Sequence, residues 1–281
     1  MRRDQRRQRG LELGVLLLIG EVLNIGYDAI PPVTLVSIIG QALLYIGVIN
    51  VPWEKWDVCI SGKKVLHHHD YKSFFLSNVE HADDMHLYYN MISYLVKGRT
   101  LEYKYGSANF ALLLAFLSTL TSFFYVAIAY VAAEFLENKH AMSSCAIGFS
   151  GVIFALKLLT TLENPVGHTY IQGFRVHVKY AAWAELVAIH VLVPNASFMG
   201  HLAGILAGLV YFKTPLRSVV DYLLSNFTGH PMRHGTHSSE YSRNYDDYDY
   251  YEERDNSYRQ SSYSNRYQQP YRRPNNFGWR F

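Results

Sequence analysis

The sequence predicts an all-α, polytopic membrane protein: a bundle of six transmembrane helices followed by a disordered cytosolic tail. Residues 11 to about 212 form a succession of apolar runs, whereas residues 241–281 contain no Val, Ile, Leu or Met. The mean hydropathy of -0.04 is therefore an average over two different segments. Such a tail cannot bury enough apolar surface to offset its ordering entropy, which excludes one soluble domain over the whole chain.

Charge and cysteine content exclude further classes of protein. A net charge of +3 over 281 residues is too small to indicate a nucleic-acid-binding protein. The two cysteines, Cys59 and Cys145, are too few for a disulfide scaffold or a multi-thiolate zinc site. The triplet at residues 67–69 lies in a loop of mixed charge, where solvated histidines are a better interpretation than a metal clip. We therefore predict neither a metal nor a cofactor.

Six segments are candidates for membrane-spanning helices. A bilayer core of roughly 30 Å calls for about 20 mostly apolar residues, and fewer where polar residues face a protein interior. Only the third segment is long and free of charge, which indicates that the others turn polar faces inward. In chain order the segments lie near residues 33–49, 81–95, 108–133, 145–162, 180–193 and 198–212.

Basic residues set the predicted orientation. Five arginines precede the apolar stretch 11–25, and the positive-inside tendency keeps that end in the cytosol. With six spans the other basic loops face the cytosol as well, whereas a seventh span would place the arginines opposite them. We therefore predict that residues 11–25 form an interfacial helix, with a signal-peptide core and a seventh span as alternatives.

These observations divide the chain into three parts. Residues 1–30 form a basic cytosolic N-terminus with an interfacial helix, and residues 31–214 form the six-span domain. Residues 215–281 form a polar tail rich in Tyr, Arg and Asp, which we expect to be disordered. Both termini are predicted to be cytosolic. RNA binding, condensation and phosphorylation are alternatives for the tail, but a solvated extension is favoured.

Polar residues inside the apolar spans are the candidate functional residues, because each costs free energy in a membrane. Ser150 lies in the fourth span, His201 in the sixth, and His86 and Asn90 in the second. All three spans enter from the predicted lumenal side. At about 1.5 Å per residue, the four side chains lie roughly 6–14 Å below the same face. We therefore expect them to meet in a cavity that opens to the lumen.

These four residue types together can support acyl transfer. A histidine at the depth of Ser150 can act as general base toward its hydroxyl. His86 and Asn90 are four residues apart and share a helix face, so they can direct two donors at an oxyanion, with the Ser150 N–H as a third. Ordinary helix packing around Ser150 and a structural interhelical hydrogen bond from His86 and Asn90 are the alternatives.

Small residues spaced four apart form stripes on two of these spans. Such stripes let two helix backbones approach closely, which would bring Ser150 within hydrogen-bond reach of His201. They also occur in many membrane proteins that are not enzymes, so they permit catalysis without implying it. The stripes contain Gly151 and Ala155 on the fourth span and Gly200, Gly204 and Gly208 on the sixth, and Gly148 precedes Ser150.

In combination, these motifs resemble those of the rhomboid intramembrane serine proteases. The order and span placement of the motifs are similar to the family's over roughly residues 31–211. Several segments, such as HADDMHLYYN and CAIGFSGVIFALK, are most similar to family members of the endoplasmic reticulum. The matching motifs are His86-x-x-x-Asn90, Glu102-x-x-x-Gly106-Ser107, Gly148-x-Ser150-Gly151 and Gly200-His201-x-x-Gly204-x-x-x-Gly208.

The resemblance implies roles for the site residues. Ser150 and His201 would form a catalytic dyad without a third carboxylate, and His86, Asn90 and the Ser150 amide would form the oxyanion hole. Many family members stack a tyrosine on the histidine, and Phe154 takes that position here.

The resemblance also implies partners and a location. Substrates would be transmembrane proteins that approach laterally through the lipid bilayer, and the protein would be a multi-pass component of the endoplasmic reticulum membrane. Nucleic acid is not expected as a partner. Family members of this organelle bind ubiquitin and an unfolding ATPase through a cytosolic tail, but those motifs are not found in this tail.

The predicted function is therefore intramembrane serine endopeptidase activity in membrane-protein quality control. A non-proteolytic rhomboid-like scaffold for client binding or dislocation is the alternative. A transporter is disfavoured because the polar groups cluster near one face. For Lys157, Glu185 and His190, which also lie in apolar spans, structural pairing is favoured over a substrate gate.

Overall fold

The computed structural model describes residues 12–193 and 195–232. This part of the chain is predominantly helical, which confirms the predicted all-α class. The prediction for residues 241–281 lies outside the described residues. The helices are α1 (Leu13–Ile25), α2 (Pro32–Tyr45), α3 (Gly62–Leu66), α4 (Tyr71–Leu76), α5 (Asp84–Tyr105), α6 (Ser107–Phe135), α7 (Lys139–Ser143), α8 (Ser150–Glu163), α9 (Ala181–Leu192), α10 (Phe198–Lys213) and α11 (Leu216–Thr228), and a hairpin of β1 (His168–Ile171) and β2 (Phe174–His177) separates α8 from α9.

Each of the six predicted spans corresponds to one helix, in order α2, α5, α6, α8, α9 and α10. Within the described residues, length and apolar composition alone qualify only α6, with 29 residues, as a membrane-crossing helix. The shorter apolar helices are α1, α2 and α10. The other spans carry polar residues because, as the following contacts show, those residues find partners inside the bundle.

Helix α5 extends ten residues beyond its predicted end at residue 95 and reaches Tyr105. The added turns contain Glu102, a buried residue whose carboxylate accepts hydrogen bonds from the amides of Val33 and Thr34 at 2.8 and 2.7 Å. Those amides belong to the first turn of α2, where no intrahelical partner exists. Part of the predicted basic loop is therefore helical. In this added part of α5, the Glu102 side chain satisfies the amides at the start of α2.

Helix α8 begins later than predicted. The fourth span was expected from residue 145, with Ser150 about six residues inside it, but Ser150 is the first residue of the helix. Gly148 has a φ of +125°, a conformation that is not helical, and its amide donates to the Ser77 carbonyl at 2.8 Å. The turn at Gly148 therefore sets the start of α8.

Helices α5, α8 and α10 run in the same direction, in agreement with the prediction that their spans enter from one side. Near their starts, Ser150 of α8 contacts His201 of α10. Near their ends, Lys104 of α5 pairs with Glu163 of α8 at 2.6 Å. The first turns of the three helices thus lie at one end of the bundle, which we call the site end.

Helix α1, predicted as an interfacial helix over residues 11–25, packs along α5. The Gly14 amide donates to Asp84 Oδ2 at 2.9 Å at the start of α5, and Tyr103 Oη near the end of α5 donates to the Ala29 carbonyl at 3.1 Å. Helix α1 also buries Val15 and Leu18 against the core and exposes leucines elsewhere. These contacts fix the position of α1 against α5, and its depth in the membrane stays a prediction.

Helix α11 lies inside residues 215–281, the range predicted as a disordered tail. It buries Val220 in the core, and Tyr211 at the end of α10 donates to Asp221 at 2.6 Å. Residues 216–228 still contain Leu, Val and Phe, so they can bury apolar surface in a way that residues 241–281 cannot. The predicted tail boundary is therefore too early.

A disulfide between Cys59 and Cys145 joins the loop after α2 to the segment before α8. The two residues are 86 positions apart, and Ile60 pairs with Ala146 in an isolated bridge next to the bond. One disulfide does not make this a disulfide-scaffold fold, which the cysteine count had excluded. The count alone did not predict that the two cysteines are bonded to each other. Disulfides persist in oxidising compartments, so the site end is expected to face one.

We expect the native protein to resist cysteine labelling. Denatured without reductant and treated with a polyethylene-glycol maleimide, it should show no mass shift on a gel, because both of its cysteines are bonded to each other. Prior reduction should give a doubly labelled species. Cys59→Ser should label once without reduction. Labelling of the unreduced wild type would contradict the bond.

Candidate active site

The centre of the site is a contact between the first residue of α8 and the fourth residue of α10. Ser150 Oγ and His201 Nε2 are 2.9 Å apart. Helix α10 starts where Ser197 accepts a hydrogen bond from the Gly200 amide at 3.1 Å, which fixes the first turn that carries His201. His201 is buried, with 5% of its surface exposed.

The two helix backbones touch beside this pair. A Cβ placed on Gly204 would lie 1.8 Å from the carbonyl oxygen of Gly151, and one placed on Gly151 would lie 2.8 Å from the carbonyl oxygen of Gly200. One turn further along, a Cβ on Gly208 would lie 3.0 Å from the Ala155 carbonyl oxygen. The predicted stripe of small residues is therefore where α8 meets α10.

Two side chains hold the His201 ring. Phe154, one turn after Ser150, lies with its ring centroid 4.7 Å from that of His201 at an interplanar angle of 30°. His190 of α9 lies on another side, with a centroid separation of 5.9 Å and nearly perpendicular rings. The structure thus brings together His201 and Phe154, the residue at the expected stacking position.

His86 and Asn90 both face the turn that precedes Ser150. A Cβ on Gly148 would lie 2.8 Å from His86 Nε2 and 3.7 Å from Asn90 Nδ2. His86 Nδ1 accepts from the Ala82 amide at 3.4 Å, which leaves the ring proton on Nε2. Asn90 Nδ2 is buried and has no hydrogen-bond partner among the described residues. Two donors are therefore directed at one point, and one of them is free to bind an acceptor.

The Ser150 amide is a third donor near this point. It belongs to the first turn of α8, where backbone N–H groups lack intrahelical acceptors, and no side chain caps this helix. The helix dipole adds partial positive charge at the same place. Negative charge on a bound group would therefore be stabilised beside Ser150.

A cavity of about 30 Å³ adjoins Ser150 and is lined by both apolar and polar residues, with Thr121, Ser122 and Asn78 among the polar ones. Asn78 Nδ2 donates to Ser122 Oγ at 3.0 Å, whereas Thr121 Oγ1 is buried with no partner in the described part of the chain. The volume is sufficient for a water molecule, and the polar atoms in the lining can bind one.

The other polar residues singled out from the sequence have structural or solvated positions. Lys157 of α8 forms an ion pair with Glu185 of α9 at 2.6 Å, as the structural interpretation predicted. The histidines at residues 67–69 are exposed. Within residues 12–193 and 195–232, no group of three or more His, Cys, Asp or Glu side chains is placed to hold a metal ion.

Sequence reasoning missed two features of the site. His190 and His201 lie on different helices, α9 and α10, so residue spacing along one helix does not predict that their rings are neighbours. The Cys59–Cys145 bond anchors the segment that leads to Gly148, and its only signal in the sequence was that both cysteines fall at the same predicted side of the membrane.

Comparisons with known proteins indicate one protein family over most of the chain. A family model described as the rhomboid domain matches residues 68–218. Rhomboid-related protein 4 of Homo sapiens is 40% identical over 263 residues, which cover 90% of this chain and 82% of the human protein. Its Mus musculus counterpart is 43% identical over 80% of this chain and 71% of its own length.

A plant protein shares a smaller part of the chain. Rhomboid-like protein 14, mitochondrial, of Arabidopsis thaliana is 37% identical over 65% of this chain and 56% of its own length. The family match spans the helices that carry Ser150, His201, His86 and Asn90. The chain belongs to the rhomboid family, and is thereby an integral membrane protein with an intramembrane protease-like architecture.

Proposed function

We propose that this protein is an intramembrane serine endopeptidase that cleaves transmembrane protein substrates through an acyl-enzyme intermediate. The observation that carries the proposal is the 2.9 Å contact between Ser150 Oγ and His201 Nε2. A hydroxyl is a weak nucleophile unless an adjacent base accepts its proton. Ser150 is the nucleophile and His201 the general base.

The proton moves along the Ser150–His201 contact. His201 Nε2 takes the proton from Ser150 Oγ as the oxygen attacks the substrate carbonyl, and then gives it to the leaving amine. Water from the cavity beside Ser150 hydrolyses the acyl-enzyme, with His201 again as base. Stacking on Phe154 keeps the ring in the plane that both proton transfers need.

The developing oxyanion binds near Gly148. His86 Nε2–H, Asn90 Nδ2–H and the Ser150 amide are the donors, and their positions against Gly148 and at the start of α8 support this assignment. Fixed donors in a site with little water stabilise charge more than the same donors in bulk water. Gly148 is needed because a larger residue would fill the space beside His86.

The disulfide supports the predicted orientation of the site end. The Cys59–Cys145 bond lies at the site end, and it requires an oxidising compartment. We propose that the site end faces the lumen of the endoplasmic reticulum and that the enzyme serves membrane-protein quality control there.

Fluorophosphonate labelling tests the proposed nucleophile directly. We expect the wild-type protein in membranes to form one covalent adduct, mapped by mass spectrometry to Ser150, because this is the hydroxyl that contacts His201 within the described residues. Ser150→Ala should remove the adduct, whereas Ser144→Ala, on the loop before α8, should retain it. An adduct that persists in Ser150→Ala would contradict the assignment and favour the non-proteolytic scaffold.

A further inference from the structure

His190 of α9 faces the side of the His201 ring that Ser150 does not use. His201 contacts Ser150 through Nε2, and its Nδ1 is buried without a hydrogen-bond partner among the described residues. If Nε2 accepts the proton of Ser150, Nδ1 carries the ring hydrogen. A buried N–H donor without an acceptor is costly, so this nitrogen needs a partner during catalysis.

The tautomer of His190 supplies a matching acceptor. Its Nδ1 lies 3.3 Å from the Leu186 carbonyl oxygen, which can only accept, so Nδ1 is the protonated nitrogen. Its Nε2 therefore carries a lone pair, and it is also buried without a partner in the described part of the chain. An unpaired donor on His201 and an unpaired acceptor on His190 thus belong to two rings that are neighbours.

The distance between the rings suits a contact that forms during the reaction. Their centroids are 5.9 Å apart and their planes nearly perpendicular, so a small approach of the rings together with a rotation brings the two nitrogens within hydrogen-bond distance. Catalytic hydrogen bonds are often long in a free enzyme and shorten in the transition-state complex. The His190 ring also packs edge-on against Phe198, one turn before His201, at 4.8 Å, which limits its other rotations.

Glu185, which lies on α9 with His190, already forms an ion pair. Glu185 binds Lys157 at 2.6 Å and so is not available to orient His201. We propose that His190 is a positioning residue: its Nε2 accepts the Nδ1–H of His201, fixes the productive tautomer and stabilises the imidazolium. The inference rests on the proposed protease function and extends the Ser150–His201 pair to a hydrogen-bonded set of Ser150, His201 and His190.

Two substitutions separate hydrogen bonding from packing. His190→Phe keeps an aromatic ring against Phe198 but removes the acceptor, and His190→Gln keeps an acceptor on a flexible chain. Cleavage of a transmembrane reporter should show kcat lowered roughly 10- to 100-fold in His190→Phe, because hydrogen bonds from charged donors are strong. KM should stay within about twofold, since His190 acts through His201. His190→Gln should recover at least a third of the wild-type kcat.

The controls distinguish the possible failures. Val191→Ala changes the neighbouring residue, whose side chain is 74% exposed, and should keep wild-type kcat. Equal losses in His190→Phe and His190→Gln, or wild-type kcat in His190→Phe, would overturn the positioning role. If Ser150→Ala retains cleavage, the protease function itself fails, whatever the His190 variants do. Fluorophosphonate labelling rates of the same variants repeat the comparison without a protein substrate.

Discussion

Ser150→Ala is expected to lower cleavage of a transmembrane reporter by at least about 1,000-fold, because removing a nucleophile removes the covalent route entirely. His201→Ala should cause a loss of similar size, since Ser150 Oγ has its base contact with His201 at 2.9 Å. Residues that act as one unit are strongly non-additive, so the double variant should be no slower than either single variant. The measurement is release of the reporter fragment in membranes.

Expression and folding are the controls for this experiment. Ser150 lies at the surface of a small cavity, and alanine removes only its hydroxyl, so the thermal unfolding temperature should change little. Cleavage retained by both single variants would disprove the proposed chemistry. A client-stability effect that persists in Ser150→Ala at full expression would favour the scaffold function.

Gly204→Ala is expected to have the second-largest effect. The added Cβ would lie 1.8 Å from the Gly151 carbonyl oxygen and 2.7 Å from its carbonyl carbon, and backbone atoms cannot rotate away as a side chain can. Helices α8 and α10 must therefore separate, at a cost of roughly 1–3 kcal/mol of stability. Because Ser150 and His201 lie on these two helices, cleavage should fall by about 100-fold.

A graded series tests this explanation. At Gly208 the nearest atom to an added Cβ is 3.0 Å away, and at Gly40 on α2 there is nothing within 4 Å. Alanine should therefore reduce activity and thermal stability most at Gly204, less at Gly208 and not at Gly40. An inactive but normally stable Gly40→Ala, or a fully active Gly204→Ala, would show that close helix contact is not what positions the pair.

The sequence predicted the helices of the bundle better than their ends. Apolar runs located the six helices predicted as spans, but α5 continues to Tyr105 and α8 starts only at Ser150. Both ends depend on distant partners: the Glu102 carboxylate binds the start of α2, and the Gly148 amide binds Ser77. Hydropathy along the chain contains no information on such contacts.

The position of α1 shows the same limit. Counting basic residues assigns a side of the membrane, and it favoured an interfacial helix over residues 11–25. The structure adds what such counting cannot supply: α1 packs against α5, burying Val15 and Leu18, and the Gly14 amide donates to Asp84.

The sequence by itself determined that the chain forms an α-helical membrane bundle and which four polar residues stand near one end of it. The length of apolar runs and the cost of polar groups in a membrane depend on the local sequence, so they can be read directly from it. Only the tertiary structure decided that Ser150 Oγ lies 2.9 Å from His201 Nε2, that Cys59 bonds to Cys145, and that His190 faces His201. Such contacts join residues on different elements of the fold, and side-chain packing between helices sets their geometry to a fraction of an ångström.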